Sequence, residues 1–222
     1  MRKLSRPMPG PVGLSGYNHN TQKWARNRPD HACRTAIWDK LNVMQSGFCV
    51  YCESVAIQGN GHLEHFFHKG RKPDGSAPYK HLTFDWTNLF GCCGLRSSDT
   101  CGHYKDREGA NGPGQYDPND IIKPDVDDPM LFFNFLDTGV IEVKMGLSAL
   151  DHKRATETLR VLNLALLNGA RKTQIDIFKQ ELKELEKLSD GLDDNALQDE
   201  MNIIKAKVRT GEYQSAVLGA LF

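Results

Sequence analysis

Residues Cys49-Val50-Tyr51-Cys52-Glu53, His62-Leu63-Glu64-His65-Phe66-Phe67-His68-Lys69, Trp86-Thr87-Asn88-Leu89, and Cys92-Cys93 with the closing Cys101-Gly102-His103-Tyr104-Lys105-Asp106 decide how this chain is read. Two separated groups of cysteines bracket an acid-histidine pair and an asparagine. Four cysteine thiolates that converge hold zinc in a closed tetrahedral site. Cys49 and Cys52 have the spacing of a tight zinc knuckle. Cys101 belongs to the second pair, with either Cys92 or Cys93 beside it; from Cys93 seven residues intervene. Zinc here would supply folding energy, because the flanking loops are rich in glycine and poor in core residues. The plainer alternative is a set of independent buried thiols.

Between the cysteines lie the residue types of phosphodiester hydrolysis. That reaction needs an activated water, charge neutralisation at the phosphate and a stabilised leaving oxygen. His65 is the candidate general base, since a histidine titrates near neutrality. Glu64 offers the hard oxygen of a divalent-metal ligand, with Mg2+ or Mn2+ the expected catalytic ion. Neighbours on a regular strand point to opposite faces, so both can serve one site only where the strand twists or ends. Asn88 is expected to accept a hydrogen bond from the second ring nitrogen of His65 and so fix its tautomer. His103 is the candidate second metal ligand. Lys69 and Lys105 are candidate phosphate contacts, and His62 and His68 are candidate auxiliary ligands. Each piece has an ordinary reading as a surface or turn residue. The assembled set also fits a zinc module that binds nucleic acid or protein without cutting.

Composition sets the outer limits. The chain has 222 residues, 39% hydrophobic and 25% charged, which suits a packed fold and argues against disorder. No apolar run is long enough for a membrane span, and Met1 to Pro7 lacks the apolar segment of a signal peptide. A cytoplasmic setting is therefore expected, with six reduced cysteines. Formal net charge is zero, a mild objection to a nucleic-acid role. Arg2, Lys3, Arg6, Lys23, Arg26 and Arg28 all precede the first acid, however, and predict a local basic surface. No Gly-x-x-x-x-Gly-Lys-Ser/Thr loop is present, so no ATPase of its own is expected.

Working outward, residues 1–48 predict an irregular Pro/Gly-rich arm, anchored by Trp24, then a helix from Ala32 to Met44 that Gly47 ends. Cys33 reads as a buried small side chain. Residues 49–125 form the candidate core. Val55 to Ile57 and His62 to Phe67 are expected to pair across a Gly59-Asn60-Gly61 turn, and residues 70–80 and 106–120 to be loops. Residues 126–222 predict a hairpin, Leu131–Leu136 with Val140–Met145, then helices. Gly169 is the expected bend or division in the first of these, and Asp190-Gly191-Leu192-Asp193-Asp194 a break. The predicted class is α+β: a zinc-stapled core between an N-terminal arm and a helical C-terminal region.

The order of these motifs resembles the HNH endonuclease superfamily with a cysteine-bound zinc. More narrowly it resembles the PtuB-type nucleases of Septu anti-phage systems, particularly the retron-associated form. The closing Cys-Gly-His-Tyr-Lys-Asp, Ile121-Ile122-Lys123-Pro124, the phenylalanine-rich hairpin, Gly139, and Leu162-Asn163-Leu164 with Arg171 extend the likeness over roughly residues 1–180. The resemblance implies a beta-beta-alpha-metal centre, a structural Zn2+ on Cys49, Cys52, Cys93 and Cys101, and catalytic residues at Glu64-His65 and Asn88. The family's C-x-x-C-[H/N] ending is altered. Gly102 follows the second cysteine, which makes His103 a displaced ligand, and His68 stands where proline is usual. The implied partners are a PtuA-type ABC ATPase and, in the retron setting, a reverse transcriptase with its non-coding RNA and DNA product. The expected activity is metal-dependent endonuclease cleavage of DNA or RNA, as the toxic effector of an antiviral complex. The alternatives are a non-catalytic zinc module and a restriction or DNA-processing HNH nuclease without a retron.

Overall fold

The computed structural model of the chain describes residues 1–25, 29–70, 75–94, 98–188, 191 and 193–222. Its candidate core begins at the cysteine knuckle. Cys49 N–H donates to Ser54 O (2.7 Å), Glu53 N–H to Cys49 O (3.1 Å), and Ala56 N–H to Gly47 O (2.8 Å). Phe48 and Val55 bridge, closing the knuckle on itself. Residues 54–56 are thereby committed to residues 47–49 and do not pair across the Gly59–Gly61 turn. Strand β1 (Gly61–His65) pairs instead with β2 (Leu89–Cys93), antiparallel, in the register Gly61↔Cys93 to His65↔Leu89. A short helix, numbered α2 in chain order (Cys101–Lys105), packs on β2 and completes a β-β-α sequence.

Helix α1 (His31–Gln45) follows from its sequence. The Asp30 carboxylate accepts from Cys33 N–H at the N-cap, and Ser46 and Gly47 take left-handed φ of 56° and 79° at the other end. Ile37, Trp38, Leu41 and Met44 are buried along one face, with Cys33. Trp38 lies against the β1–β2 pair where two glycines make room. A β-carbon on Gly91 would stand 3.0 Å from the indole, and one on Gly61 3.2 Å from it. Buried Gln45 extends the contact by donating to Gly91 O (2.8 Å) and accepting from Gly91 N–H (2.8 Å).

The arm drapes over this core through Arg6. Its guanidinium pairs with Asp125 (2.6 Å), donates to Trp86 O (2.7 Å) and Leu89 O (3.0 Å), and covers the rings of Trp86 and Phe90. Arg2 is similarly engaged, with Gln214 and Gln45 O. These two arginines therefore build the fold and do not contribute to the expected basic surface. Arg26 and Arg28 lie outside the described residues.

The hairpin forms as expected, from β3 (Phe133–Phe135) and β4 (Ile141–Val143). Ser148 caps α3 (Ala149–Val161). The helical run divides at Asn163, which adopts left-handed φ of 48°, and a 3-10 turn leads into α4 (Asn168–Leu188). Gly169 sits inside the first turn of α4, so the division precedes it. Asp193 caps α5 (Asp194–Arg209), which is followed by α6 (Gln214–Leu221). Of the sequence features named above, residues 71–74 of one loop, 95–97 of the second cysteine spacer, and 190 and 192 of the helix break lie outside the described residues.

The described residues thus give a mixed α+β fold with two small antiparallel sheets and six α-helices. The segments 1–48, 49–125 and 126–222 share one hydrophobic core, to which Ile37, Phe90, Ile122, Phe133, Val161, Ile175 and Val217 all belong. Helix α6 reaches back to the knuckle. Buried Glu53, at φ 68°, accepts from Ser215 N–H (2.8 Å) and Ser215 Oγ (2.5 Å), and also pairs with the Met1 ammonium (3.3 Å). No described helix is long and apolar enough to cross a membrane.

Arg171, buried at the start of α4, donates to Gly139 O (3.2 Å), Leu164 O (2.6 Å) and Asn168 Oδ1 (2.8 Å), joining hairpin to helices. Arg171→Leu strips the donor from two buried carbonyls, and urea denaturation is expected to show a loss of roughly 2–4 kcal/mol. A loss below about 0.5 kcal/mol, the range of an ordinary surface change, would contradict this role.

Candidate functional site

Two sites share α2. On one side, the Sγ atoms of Cys49, Cys52, Cys93 and Cys101 lie within 4.8 Å of one another, with Cys52 and Cys93 3.4 Å apart. Four ligands about 2.3 Å from zinc stand about 3.8 Å apart in a tetrahedron, so this group can hold a metal ion such as zinc. The knuckle's own N–H groups turn toward sulfur: Tyr51 N–H lies 3.4 Å from Cys49 Sγ and Ser54 N–H 3.5 Å from Cys52 Sγ. Such contacts stabilise thiolate, the form that binds metal. Hydrogen bonding with Cys101 draws the Cys93 thiol down to about 4. Cys101 moves the other way, raised first by its hydrogen bonds with Cys49 and Cys52. Cys92 stays outside the four. It is fully buried, 3.7 Å from Cys49 Sγ, accepts from Gly102 N–H (3.3 Å), and is pushed up by burial. Of the two neighbours, Cys93 therefore completes the set.

On the other side of α2 a cavity of about 480 Å³ is lined by His62, Glu64, His65, Lys69, His103 and Asp106, with Trp24, Trp38 and Arg34 at its walls. Strand β1 ends at His65 and the chain then bends, so Glu64 and His65 both reach this cavity although they are neighbours. The condition set by strand alternation is met.

Glu64 is 2% exposed. Its Oε1 accepts from Tyr51 OH (3.1 Å) and pairs with Lys105 Nζ (3.0 Å). Burial is the largest influence and would raise this carboxyl, but Lys105 and His62 together outweigh it and hold the group well below the carboxylate range. Lys105 is itself 3% exposed, and also donates to His65 O (3.1 Å) and Phe66 O (3.4 Å) and pairs with Asp106. Despite its burial, Asp106 and Glu64 lift its pKa well above the usual lysine value. It is an internal counter-ion. The expected phosphate contact is not available to it.

His65 is 1% exposed. Its Nε2 lies 3.0 Å from Thr83 O. A carbonyl only accepts, so Nε2 carries the proton and Nδ1 keeps its lone pair. Lys69 Nζ stands 3.2 Å from Nδ1, and Trp24 meets the ring edge-on at 4.4 Å between centroids. Burial first, then the Lys69 charge, lowers His65 to about 3 and keeps it neutral. The expected Asn88–His65 contact is not made, because a main-chain carbonyl takes the ring nitrogen. Asn88 instead accepts from Phe67 N–H (2.7 Å) and donates to Phe67 O and Leu82 O (3.1 Å each). It clamps the segment after His65 to the segment that presents Thr83, and so positions the histidine indirectly.

His62 and His103 stack at 3.8 Å between centroids, with His62 Nε2 3.5 Å from Glu64 Oε2. Burial would lower His62, but Glu64 raises it overall; burial and then His62 lower His103. His68 does not line the cavity; it lies 3.7 Å from Asp106, a residue that does, and burial lowers it.

No protein-family model matches the sequence, and no curated protein matches it significantly.

Sequence reasoning did not assign Thr83, Tyr51 or Asp106 to the site, or Trp24 to its wall. Thr83 acts through its carbonyl, which no side-chain pattern signals. Tyr51 and Asp106 adjoin motif residues, and that adjacency was the available signal.

Cys49→Ser is expected to lose about one equivalent of zinc and to unfold at lower temperature, whereas Cys92→Ser keeps its zinc; elemental analysis with thermal melting checks both. Zinc lost from Cys92→Ser but kept in Cys49→Ser would reverse the ligand set. The His65 shift also sets a pH dependence. Unfolded histidine binds a proton near pH 6.5, while folded His65 resists protonation until about 3. The contribution is therefore fully present above pH 6.5 and is lost as pH falls toward 3. Between pH 6 and 5, the wild type should lose roughly 1 kcal/mol more than His65→Gln in urea titrations. Parallel slopes would show that His65 titrates normally.

Proposed function

We propose that this chain is a metal-dependent endonuclease of the HNH type that hydrolyses nucleic-acid phosphodiesters, with His65 as general base. The observation that carries the reading is the His65 tautomer. Thr83 O takes the Nε2 proton, so Nδ1 is held as an acceptor in a cavity that also presents the ionised Glu64 carboxylate. The β1–β2–α2 order beside a cysteine cluster supports the beta-beta-alpha-metal interpretation.

In this mechanism Nδ1 of His65 takes a proton from water as the water oxygen bonds to phosphorus and the bond to the leaving oxygen breaks. Charge neutralisation at the phosphate and leaving oxygen would come from a divalent cation when one is bound. The donors for it include Glu64 Oε2. Lys69 occupies Nδ1 in the described state and, after burial, is what holds His65 a weak base; it must leave before water can approach and before the imidazole regains part of its basicity, and a substrate phosphate is the natural acceptor for its ammonium. Asn88 and Lys105 act on main-chain groups around His65 and hold the base in place.

The resemblance to PtuB-type nucleases extends the proposal to antiviral defence in a complex with a PtuA-type ATPase and, in a retron setting, a reverse transcriptase with its RNA and DNA. A second reading, a zinc-stapled binding module without cleavage, is favoured by the near-complete burial of His65 beneath Trp24 and Lys69.

Cleavage of plasmid, single-stranded DNA and RNA with Mg2+ or Mn2+, with and without the ATPase, separates the two. His65→Ala is expected to lower the rate roughly 100- to 10,000-fold with zinc and folding retained. Wild-type protein that binds nucleic acid but cuts none, even in the complex, would establish the binding module instead.

A further inference from the structure

We propose that the cavity's divalent cation is bound by His62 Nε2 together with Glu64 Oε2, and that His103 supports His62 without ligating. The inference deepens the nuclease reading, and rests on it for the cation's use in cleavage.

Both ring nitrogens of His62 are shut off from solvent, and neither has a hydrogen-bond partner among the described residues. Buried polar nitrogen is ordinarily satisfied, so an imidazole with no hydrogen bond at Nδ1 and only a long, 3.5 Å approach to a carboxylate at Nε2 marks a place for a further group. What faces it is a carboxylate oxygen. Glu64 Oε1 is occupied by Tyr51 and Lys105, while Oε2 stands 3.5 Å from His62 Nε2 without a hydrogen bond between them. Two ligands about 2.1 Å from one ion, at a near-tetrahedral angle, stand about 3.4 Å apart.

The space between these atoms is kept clear by Gly102. A β-carbon there would lie 2.4 Å from Glu64 Oε2 and 3.0 Å from His62 Nε2. The helix residue nearest both donors is thus the one residue type that puts no side chain between them. His103, one position later, is placed differently. Its ring stacks on His62 at an interplanar angle of 28°. Nitrogen lone pairs lie in the ring plane, so rings stacked this closely to parallel do not aim at a common point within bonding reach. Imidazole beside carboxylate selects an ion that accepts nitrogen, such as Mn2+, Co2+, Ni2+ or Zn2+, over Mg2+.

The test uses full-length protein carrying its cysteine-bound zinc, titrated with Mn2+, with free Mn2+ read by its electron paramagnetic resonance signal. His62→Ala and the bulkier His62→Gln are expected to weaken binding roughly 10- to 100-fold, and Gly102→Ala to weaken it as well, while His103→Ala changes it by less than about threefold. Zinc content and melting temperature show that each variant is folded. Loss on His103→Ala with affinity unchanged in both His62 variants overturns the assignment, as does wild-type protein that binds no Mn2+. Cleavage is scored separately. Binding that depends on His62 in a protein that cuts nothing upholds the site and defeats the nuclease reading. Cleavage that depends on His65, with Mn2+ affinity indifferent to His62, does the reverse.

Discussion

The buried ion pair between Lys105 and Glu64 is the constraint on which the rest of the site depends. Both side chains are almost wholly removed from water, and a charge in that position is tolerable only when paired and hydrogen-bonded. Lys105 meets the condition with Glu64, Asp106 and the carbonyls of His65 and Phe66. Its ammonium therefore fixes the end of β1 to the end of α2. Cys101 begins that same short helix. A displacement of α2 would disturb the sulfur cluster and the cavity together, so the structural and chemical halves of the candidate site form one mechanical unit.

Around that unit the molecule is closed by elements distant in sequence. Arg6 reaches across from the arm to the carbonyls at Trp86 and Leu89, and α6 is tied through Ser215 to Glu53. Helix α6 is a cap, since Ala216 and Val217 belong to the core. Helix α5 is mostly exposed, with Ile204 and Val208 as its buried residues.

Residue type and spacing made the sulfur cluster legible in the sequence, because thiolates have few other reasons to gather. Helix α1 was legible too, through its apolar period, although its start at the Asp30 cap was not read. The partner of β1 was not. A nearby apolar segment and a glycine turn suggested a local hairpin, but the knuckle's main chain had already claimed that segment. The tie on His65 was hidden because Thr83 contributes only its carbonyl, and Asn88 was then credited with a contact it does not make. Lys105 was misjudged because lysine is rarely buried, and only tertiary structure reveals the four acceptors gathered for it.

The tie between Glu53 and Ser215 joins residues separated by 162 positions. During synthesis on the ribosome, the knuckle emerges long before α6 does. Until then Glu53 lacks the hydroxyl and N–H that receive its carboxylate in the finished fold, and burying that charge is unfavourable. The sulfur loop consequently completes its packing only after α6 has been made. A polypeptide stalled upstream of α6 would present the cysteines in a looser, wetter setting, where competing metals and cellular chelators have freer access.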